Sequence, residues 1–152
     1  MSNRVKLVFA LSISILALCA ASVLRAEACS NRTLRGSYGY TVTGSIIAPV
    51  GPLVAGPFAA VGRIVFDGEG HVSTVRSLSD NGEVLQNDSG TGTYILKSDC
   101  TGSFNITVGP PGNTVILNLN IVLDGNGELR GLVTNQGIVL SLEGRRQNPI
   151  FF

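Results

Sequence analysis

Apolar and polar residues alternate along most of this chain, in short runs separated by glycine-rich turns. The clearest run is 114–123, where every odd position from Val115 to Leu123 is apolar and where Asn118 and Asn120 lie on the other face. A period of two is typical of a β-strand that buries one face. The alternation predicts eight strands, at 34–43, 58–66, 72–78, 90–97, 102–108, 114–123, 128–134 and 138–143, with 83–86 as a ninth short strand or an edge extension.

The turns between these runs indicate how the strands are joined. The segment 67–70 (Asp-Gly-Glu-Gly) lies between two β-branched runs, and 124–127 (Asp-Gly-Asn-Gly) repeats the device. Such residues tolerate positive φ angles and are typical of hairpins. Sequential hairpins favour an antiparallel meander, and no convincing helical period appears after residue 28.

An open eight-stranded meander would expose two edges and one apolar face. Closure of the sheet removes both problems. We therefore predict an all-β fold, an antiparallel up-and-down β-barrel of about eight strands, with a two-sheet β-sandwich as the alternative.

The N-terminus has the features of a cleaved signal peptide. Arg4 and Lys6 precede an apolar, uncharged run at 7–24, and Ala26-Glu27-Ala28 supplies small residues for cleavage after Ala28. We predict a signal peptide at 1–28 and a single domain at 29–152, in a secreted or periplasmic protein with no membrane span after cleavage. A transmembrane anchor is the alternative, because the run is long enough to cross a bilayer.

The charge and cysteine content of the chain argue against several classes of partner and bound metal. The 11 Lys and Arg nearly balance the 10 Asp and Glu and form no basic stripe, so the sequence predicts no nucleic-acid partner. Cys29 and Cys100 remain after cleavage, and an oxidising compartment favours a disulfide between them. Two cysteines and one distant histidine are too few for a zinc site. The sequence predicts neither a metal nor a cofactor.

The segment 45–57 is an apolar loop that contains Pro49, Pro52 and Pro57. No charged residue occurs between Gly36 and Gly62. Exposed loops are usually polar, and long ones are often functional. The segment is interpreted as a plug over one end of the β-structure, as a lip over an apolar pocket, or as a contact with a partner or membrane.

Several short motifs resemble those of a group of uncharacterised small secreted bacterial β-barrel proteins. The motifs cover most of the mature chain and comprise Cys29, Leu34-x-Gly36-Ser37-Tyr38-Gly39, the run from Gly62 to Gly70, Gly92-Thr93-Tyr94 and Asp99-Cys100-Thr101-Gly102. More loosely, the topology is similar to that of calycin and allene-oxide-cyclase-like barrels. That resemblance implies an apolar small molecule bound or converted inside the barrel, without any transferable residue motif.

Few residues of the sequence are candidates for acid–base catalysis or metal binding. His71 is the only histidine, and it is interpreted as a residue at the rim of the barrel, with a general base as the alternative. Alternate oxygen-bearing residues at 67–71 and 124–128 resemble calcium loops, but both stretches lack the glycine at the sixth position and the distal glutamate. Ordinary hairpin turns use the same residues.

The candidate ligand-binding residues are three tyrosines, an arginine and a leucine of the apolar loop. With the apolar faces inward, Arg63 and Arg76 are both expected on the solvated surface, whereas an inward Arg63 would anchor an anion. The tyrosines are expected in the core or lining a pocket, with hydroxyls that need partners. The set is Tyr38, Tyr40, Tyr94, Arg63 and Leu53.

Three functions follow. The first is a binding module for a small apolar ligand, with 45–57 at the mouth of the barrel. The second is a cyclase-type or isomerase-type enzyme that uses tyrosine hydroxyls and His71. The third is a structural or interaction protein with a filled core, whose apolar loop and tail (150–152) contact a partner. The size of the cavity and the polar groups that converge on it distinguish the three.

Overall fold

A computed structural model describes residues 28–147 of the chain. The predicted signal peptide, except for Ala28, and the apolar tail at 150–152 lie outside the described residues. One helical turn and eight strands follow one another: α1 (Asn31–Leu34), β1 (Gly36–Ile46), β2 (Gly56–Phe66), β3 (His71–Asp80), β4 (Glu83–Leu96), β5 (Thr101–Val108), β6 (Val115–Leu123), β7 (Glu128–Val133) and β8 (Ile138–Arg146).

The eight strands form a closed antiparallel barrel in sequence order. Each strand pairs with the next, and β8 closes the barrel against β1, where Tyr38 lies opposite Arg146 and Ile46 opposite Ile138. The prediction of an up-and-down barrel is confirmed, and the sandwich alternative is wrong. Closure therefore gives each of the eight strands a hydrogen-bonded neighbour on both sides.

Several strand bounds differ from those that the sequence predicts. β1 ends at Ile46 instead of 43, β3 at Asp80 instead of 78, and β8 at Arg146 instead of 143. The predicted strand at 90–97 and the short element at 83–86 are one long strand, β4. Leu34, expected in the first strand, instead ends α1, where its side chain is fully buried.

Alternate residues of every strand fill the barrel interior, as the period of two predicts. Phe66, the last residue of β2, makes edge-to-face contacts with Tyr38, Tyr94 and Phe104, at ring-centroid distances of 5.7, 4.9 and 6.0 Å. Aromatic pairs prefer this geometry. The interior is therefore a packed core.

The two ends of the barrel are built differently. At the closed end lie the turns at 67–70, 97–100 and 124–127, together with α1 and the Cys29–Cys100 disulfide, which confirms the predicted pairing. At the other end, the mouth, lie the turns at 81–82 and 134–137, the loop at 109–114, and the loop at 47–55, here called the lip.

Gly62 leaves space for the side chain of Arg76. Gly62 lies opposite Arg76 of β3, on the face of β2 that points into the barrel. A Cβ atom at Gly62 would lie 2.5 Å from the Val75 carbonyl oxygen and 2.7 Å from the Arg76 Cβ atom. Both distances are too short for van der Waals contact, so β2 and β3 approach this closely only because residue 62 has no side chain.

We expect Gly62→Ala to lower the free energy of unfolding by about 1–3 kcal/mol, the usual cost of overpacking a core. Gly125→Ala is the matched control, because a Cβ atom there meets nothing within 4 Å. The measurement is the urea midpoint of each variant against the unmodified protein. Equal midpoints for the two variants would contradict the close approach at Gly62.

Candidate functional site

A cleft of about 260 Å³, here called the mouth cleft, opens at the mouth of the barrel. It lies between the lip, the β3–β4 hairpin and the 109–114 loop. Its lining comprises Pro52, Leu53, Arg76, Leu78, Asp80, Glu83, Val84, Leu85, Asp88, Gly109, Pro110 and Val115. Apolar walls and a few buried charges are typical of small-molecule sites, and the volume lies just below their usual range of about 300–1,000 Å³.

The lip covers one side of the cleft because backbone hydrogen bonds, both within the lip and to the 134–137 turn, fold it back over the mouth. Val50 and Leu53 exchange backbone hydrogen bonds of 3.1 Å, which forms a tight turn. The N–H groups of Ile47 and Ala48 both donate to the carbonyl of Gly137. The side chain of Leu53 is buried against the core. The structure thus places the middle of the predicted 45–57 loop at one wall of the cleft, whereas its two ends belong to β1 and β2. The plug, lip and contact interpretations of this loop stay predictions.

A buried ion pair forms the floor of the cleft. The Arg76 Nε and Nη2 atoms both lie 2.8 Å from the Asp88 Oδ2 atom. The second carboxylate oxygen of Asp88 accepts a hydrogen bond of 3.1 Å from the Gly109 N–H. Both residues are almost fully buried, with 6% of each exposed. A buried charge is tolerated when it is paired and hydrogen-bonded in this way.

The expectation that Arg76 lies on the solvated surface is wrong. Arg76 shares the parity of Val72, Thr74 and Leu78, and that face of β3 is the interior one. The sequence suggested an outward position for Arg76 because a charged residue in a strand usually faces solvent. Counting by two from Val72 along β3 would have placed Arg76 on the interior face.

A β-bulge brings Asp88 to Arg76. The register of β3 and β4 pairs Leu78 with Leu85 but Arg76 with Asp88, so one extra residue is inserted in β4. Asn87 lies in this insertion at φ 58°, a left-handed conformation that asparagine tolerates. Bulges of this kind re-aim side chains and occur often beside functional sites.

A second buried carboxylate lies at the top of the cleft. Asp80, the last residue of β3, has 7% of its surface exposed. Its Oδ2 atom accepts a hydrogen bond of 3.0 Å from the Val54 N–H of the lip. Its Oδ1 atom is buried and has no hydrogen-bond partner within residues 28–147. Asp80 lies beyond the strand predicted at 72–78, so its position in the sequence did not indicate that its side chain would be buried.

The barrel lumen itself offers little space. A void of about 30 Å³ lies below the ion pair, and this is about the volume of one water molecule. Arg76 lines both this void and the mouth cleft, so its side chain separates them. Beside the void, the Tyr40 hydroxyl bonds to Thr74 Oγ1 at 2.8 Å. Burial raises the pKa of Tyr40, and the bond to Thr74 partly offsets that shift.

Of the five predicted ligand-binding residues, the structure brings only Leu53 to the mouth cleft. Arg63 is exposed on the outer face of β2. The Tyr38 hydroxyl accepts a hydrogen bond of 2.8 Å from Arg146 Nη2. The Tyr94 hydroxyl accepts one from the Gly68 N–H and donates one to the Asn31 carbonyl.

His71 lies at the closed end, across the barrel from the mouth cleft. Its Nδ1 atom is 2.8 Å from Asp67 Oδ2, and 76% of its side chain is exposed. Hydrogen bonds from the N–H groups of Glu69 and His71 lower the pKa of Asp67 well below its usual range. This turn uses its carboxylate to hold its own backbone. His71 lines neither the mouth cleft nor the void beside Tyr40.

A wider depression of about 680 Å³ lies on the outer face of β1, beside β2, β7 and β8. Its charged side chains belong to a solvated network in which Glu128 contacts Arg130 and Arg145. We favour the smaller mouth cleft as the functional site, because its charges are buried. No cluster of three or more potential metal ligands occurs within the described residues.

Comparison of the chain with protein-family models, with curated proteins and with solved structures found no match. The resemblance to small secreted bacterial barrels therefore stays a prediction. Within residues 28–147, no helix has the length and hydropathy needed to span a bilayer.

Proposed function

We propose that the protein is a secreted or periplasmic binding module, and that a small apolar ligand occupies the mouth cleft. The observation that carries the proposal is the cleft itself, which combines apolar walls with nearly buried charges at Arg76, Asp80 and Asp88. A cleft of about 260 Å³ has room for about nine water-sized groups. That volume suits a compact molecule better than a long lipid.

Two further features support this function. The disulfide is typical of proteins from oxidising compartments, which supports secretion or a periplasmic location. The lumen void of about 30 Å³ is too small for an organic ligand, so the site is assigned to the mouth instead of the interior.

Exposed apolar side chains at the mouth favour a second candidate, an interaction protein. Ile47 and Val84 have 65% and 67% of their surfaces exposed, and Val54 and Leu85 are also exposed. Clustered apolar surface often marks a contact with another molecule. In this alternative, the filled core serves only as a scaffold.

Native mass spectrometry of the mature protein, purified from its own host, tests the binding function. We expect a mass above that of the polypeptide, with the excess lost on denaturation. Leu85→Trp should abolish the excess, because an indole at the rim would fill the cleft. The matched control is Ile95→Trp, on the exposed outer face of β4, which should retain it.

Two results would argue against the binding module. A bare polypeptide mass, two hydrogens light for the disulfide, would favour the interaction protein. An excess mass that persists equally in Leu85→Trp would place the ligand outside the mouth cleft.

A further inference from the structure

The unpartnered oxygen of Asp80 is the feature of the mouth cleft that the fold leaves unexplained. Asp80 lies opposite Glu83 at the tip of the β3–β4 hairpin, and its Oδ2 atom holds the lip through the Val54 N–H. The Oδ1 atom, on the same carboxylate, lacks a donor within residues 28–147. A buried acceptor without a donor destabilises the protein, so its presence suggests that another molecule supplies the donor.

Arg76 does not supply the missing donor, because Asp80 Oδ1 has no partner within residues 28–147 and Asp80 Oδ2 is bonded by the lip. The Arg76 Nε and Nη2 atoms both bond to Asp88, and Gly109 occupies the remaining oxygen of Asp88. The positive charge of Arg76 is thus balanced by Asp88 at the floor of the cleft. The negative charge of Asp80, at the top of the cleft, therefore has no counter-charge from Arg76.

The charge of the cleft therefore selects the sign of its ligand. Besides the neutral pair on the floor, the lining holds two acidic residues, Asp80 and Glu83, and no further basic residue among those described. A carboxylate or phosphate ligand would meet like charge there, whereas a cation would meet opposite charge. Hydrogen bonds between an ammonium group and a carboxylate are about twice as strong as neutral ones.

Resting on the binding function proposed above, we propose that the ligand is a small apolar amine. Its protonated nitrogen donates a hydrogen bond to Asp80 Oδ1, and its hydrocarbon part lies against Leu53, Leu78 and Leu85. Asp80 is then the residue that determines specificity for the head group, and the apolar walls select the size of the body.

Binding requires a small movement of the lip. Asp80 Oδ1 is closed off from solvent in this conformation. The lip is fastened to Asp80 by one hydrogen bond, from the Val54 N–H, and Leu53 covers the cleft beside it. A shift of these two residues uncovers Asp80, and the amine then provides the donor that the closed form lacks.

Three six-carbon probes with different head groups test the proposal: hexylamine, hexan-1-ol and hexanoate. Isothermal titration of the intact, oxidised protein at neutral pH gives the affinity of each. We expect hexylamine to bind at least about tenfold more tightly than hexan-1-ol, as one charge-assisted hydrogen bond implies, and hexanoate to bind most weakly. This comparison needs no variant, so a folding defect cannot obscure it.

The variant Asp80→Asn identifies the anchoring atom. Its amide oxygen can still accept the Val54 N–H, while the amide nitrogen replaces the acceptor that faces the amine. We expect the preference for hexylamine over hexan-1-ol to disappear in this variant. Glu69→Gln is the matched control, because it removes the same charge from an exposed position in the 67–70 turn at the closed end, away from the mouth cleft. The preference for hexylamine should survive in Glu69→Gln.

The results distinguish a failure of the amine assignment from a failure of the proposed binding function. Equal affinity for hexylamine and hexan-1-ol, unchanged in Asp80→Asn, would overturn the amine assignment and leave an apolar binding site intact. Binding of none of the three probes would overturn the amine assignment as well, and native mass spectrometry would then decide on the binding function itself.

Discussion

Asp88→Ala is expected to lower the free energy of unfolding by about 3–5 kcal/mol, the usual cost of removing one member of a buried ion pair. The variant leaves the Arg76 guanidinium, whose side chain is 5% exposed, without its counter-charge. It also leaves the Gly109 N–H without its acceptor. Urea denaturation followed by circular dichroism gives the difference in midpoint and slope.

The double variant Arg76→Met with Asp88→Leu is the informative control. It removes both charges and keeps apolar volume, and such replacements are often neutral or stabilising. We therefore expect it to be more stable than Asp88→Ala. A solvated pair offers a second comparison: Arg130→Ala removes contacts with Asp124 and Glu128 at a position 64% exposed and should leave the midpoint nearly unchanged. If the double variant were as unstable as Asp88→Ala, lost packing would explain the effect better than an unpaired charge.

Replacing both cysteines by serine should lower the free energy of unfolding by about 4 kcal/mol, a second large effect. The Cys29–Cys100 bond spans a sequence separation of 71 residues. In the chain-entropy model, a cross-link over a loop of that length removes much of the freedom of the unfolded chain. The measurement is the urea midpoint of Cys29→Ser/Cys100→Ser against the oxidised protein.

Addition of a reductant supplies the control for the disulfide. The reduced native sequence should unfold at nearly the same urea concentration as the serine variant, which should itself be insensitive to reductant. A serine variant as stable as the oxidised protein would show that backbone contacts alone, such as the bond from the Cys29 N–H to the Ser98 carbonyl, secure the N-terminus.

The barrel could be predicted because its signals are local. In β6, buried and exposed residues alternate without exception from Val115 to Leu123, as the sequence alone indicates. The turn at 67–70 likewise depends only on residues that are adjacent in the chain. Closure followed from the need to cover strand edges, and the pairing of β1 with β8 fulfils that need.

The candidate site could not be predicted in full, because it depends on contacts between distant residues. The bulge at Asn87 changes which face of β4 is interior, and no periodicity identifies the position of such an insertion. Before the bulge is located, Asp88 cannot be paired with Arg76. The apolar composition of 45–57 left a plug, a lip and a contact surface as alternatives, and the hydrogen bond from the Val54 N–H to Asp80 could be identified only in the folded chain.

The order of the strands has a consequence for how the barrel assembles. Seven of the eight pairings join consecutive strands through short connections, whereas the seam between β1 and β8 joins Tyr38 and Arg146, which are 108 residues apart. Contacts so distant in sequence slow folding, because the loop must close before the contacts form. Once oxidised, the Cys29–Cys100 bond roughly halves the chain path across that seam, which favours closure by about 0.6 kcal/mol. Oxidation before the seam forms would therefore direct the chain toward the closed barrel.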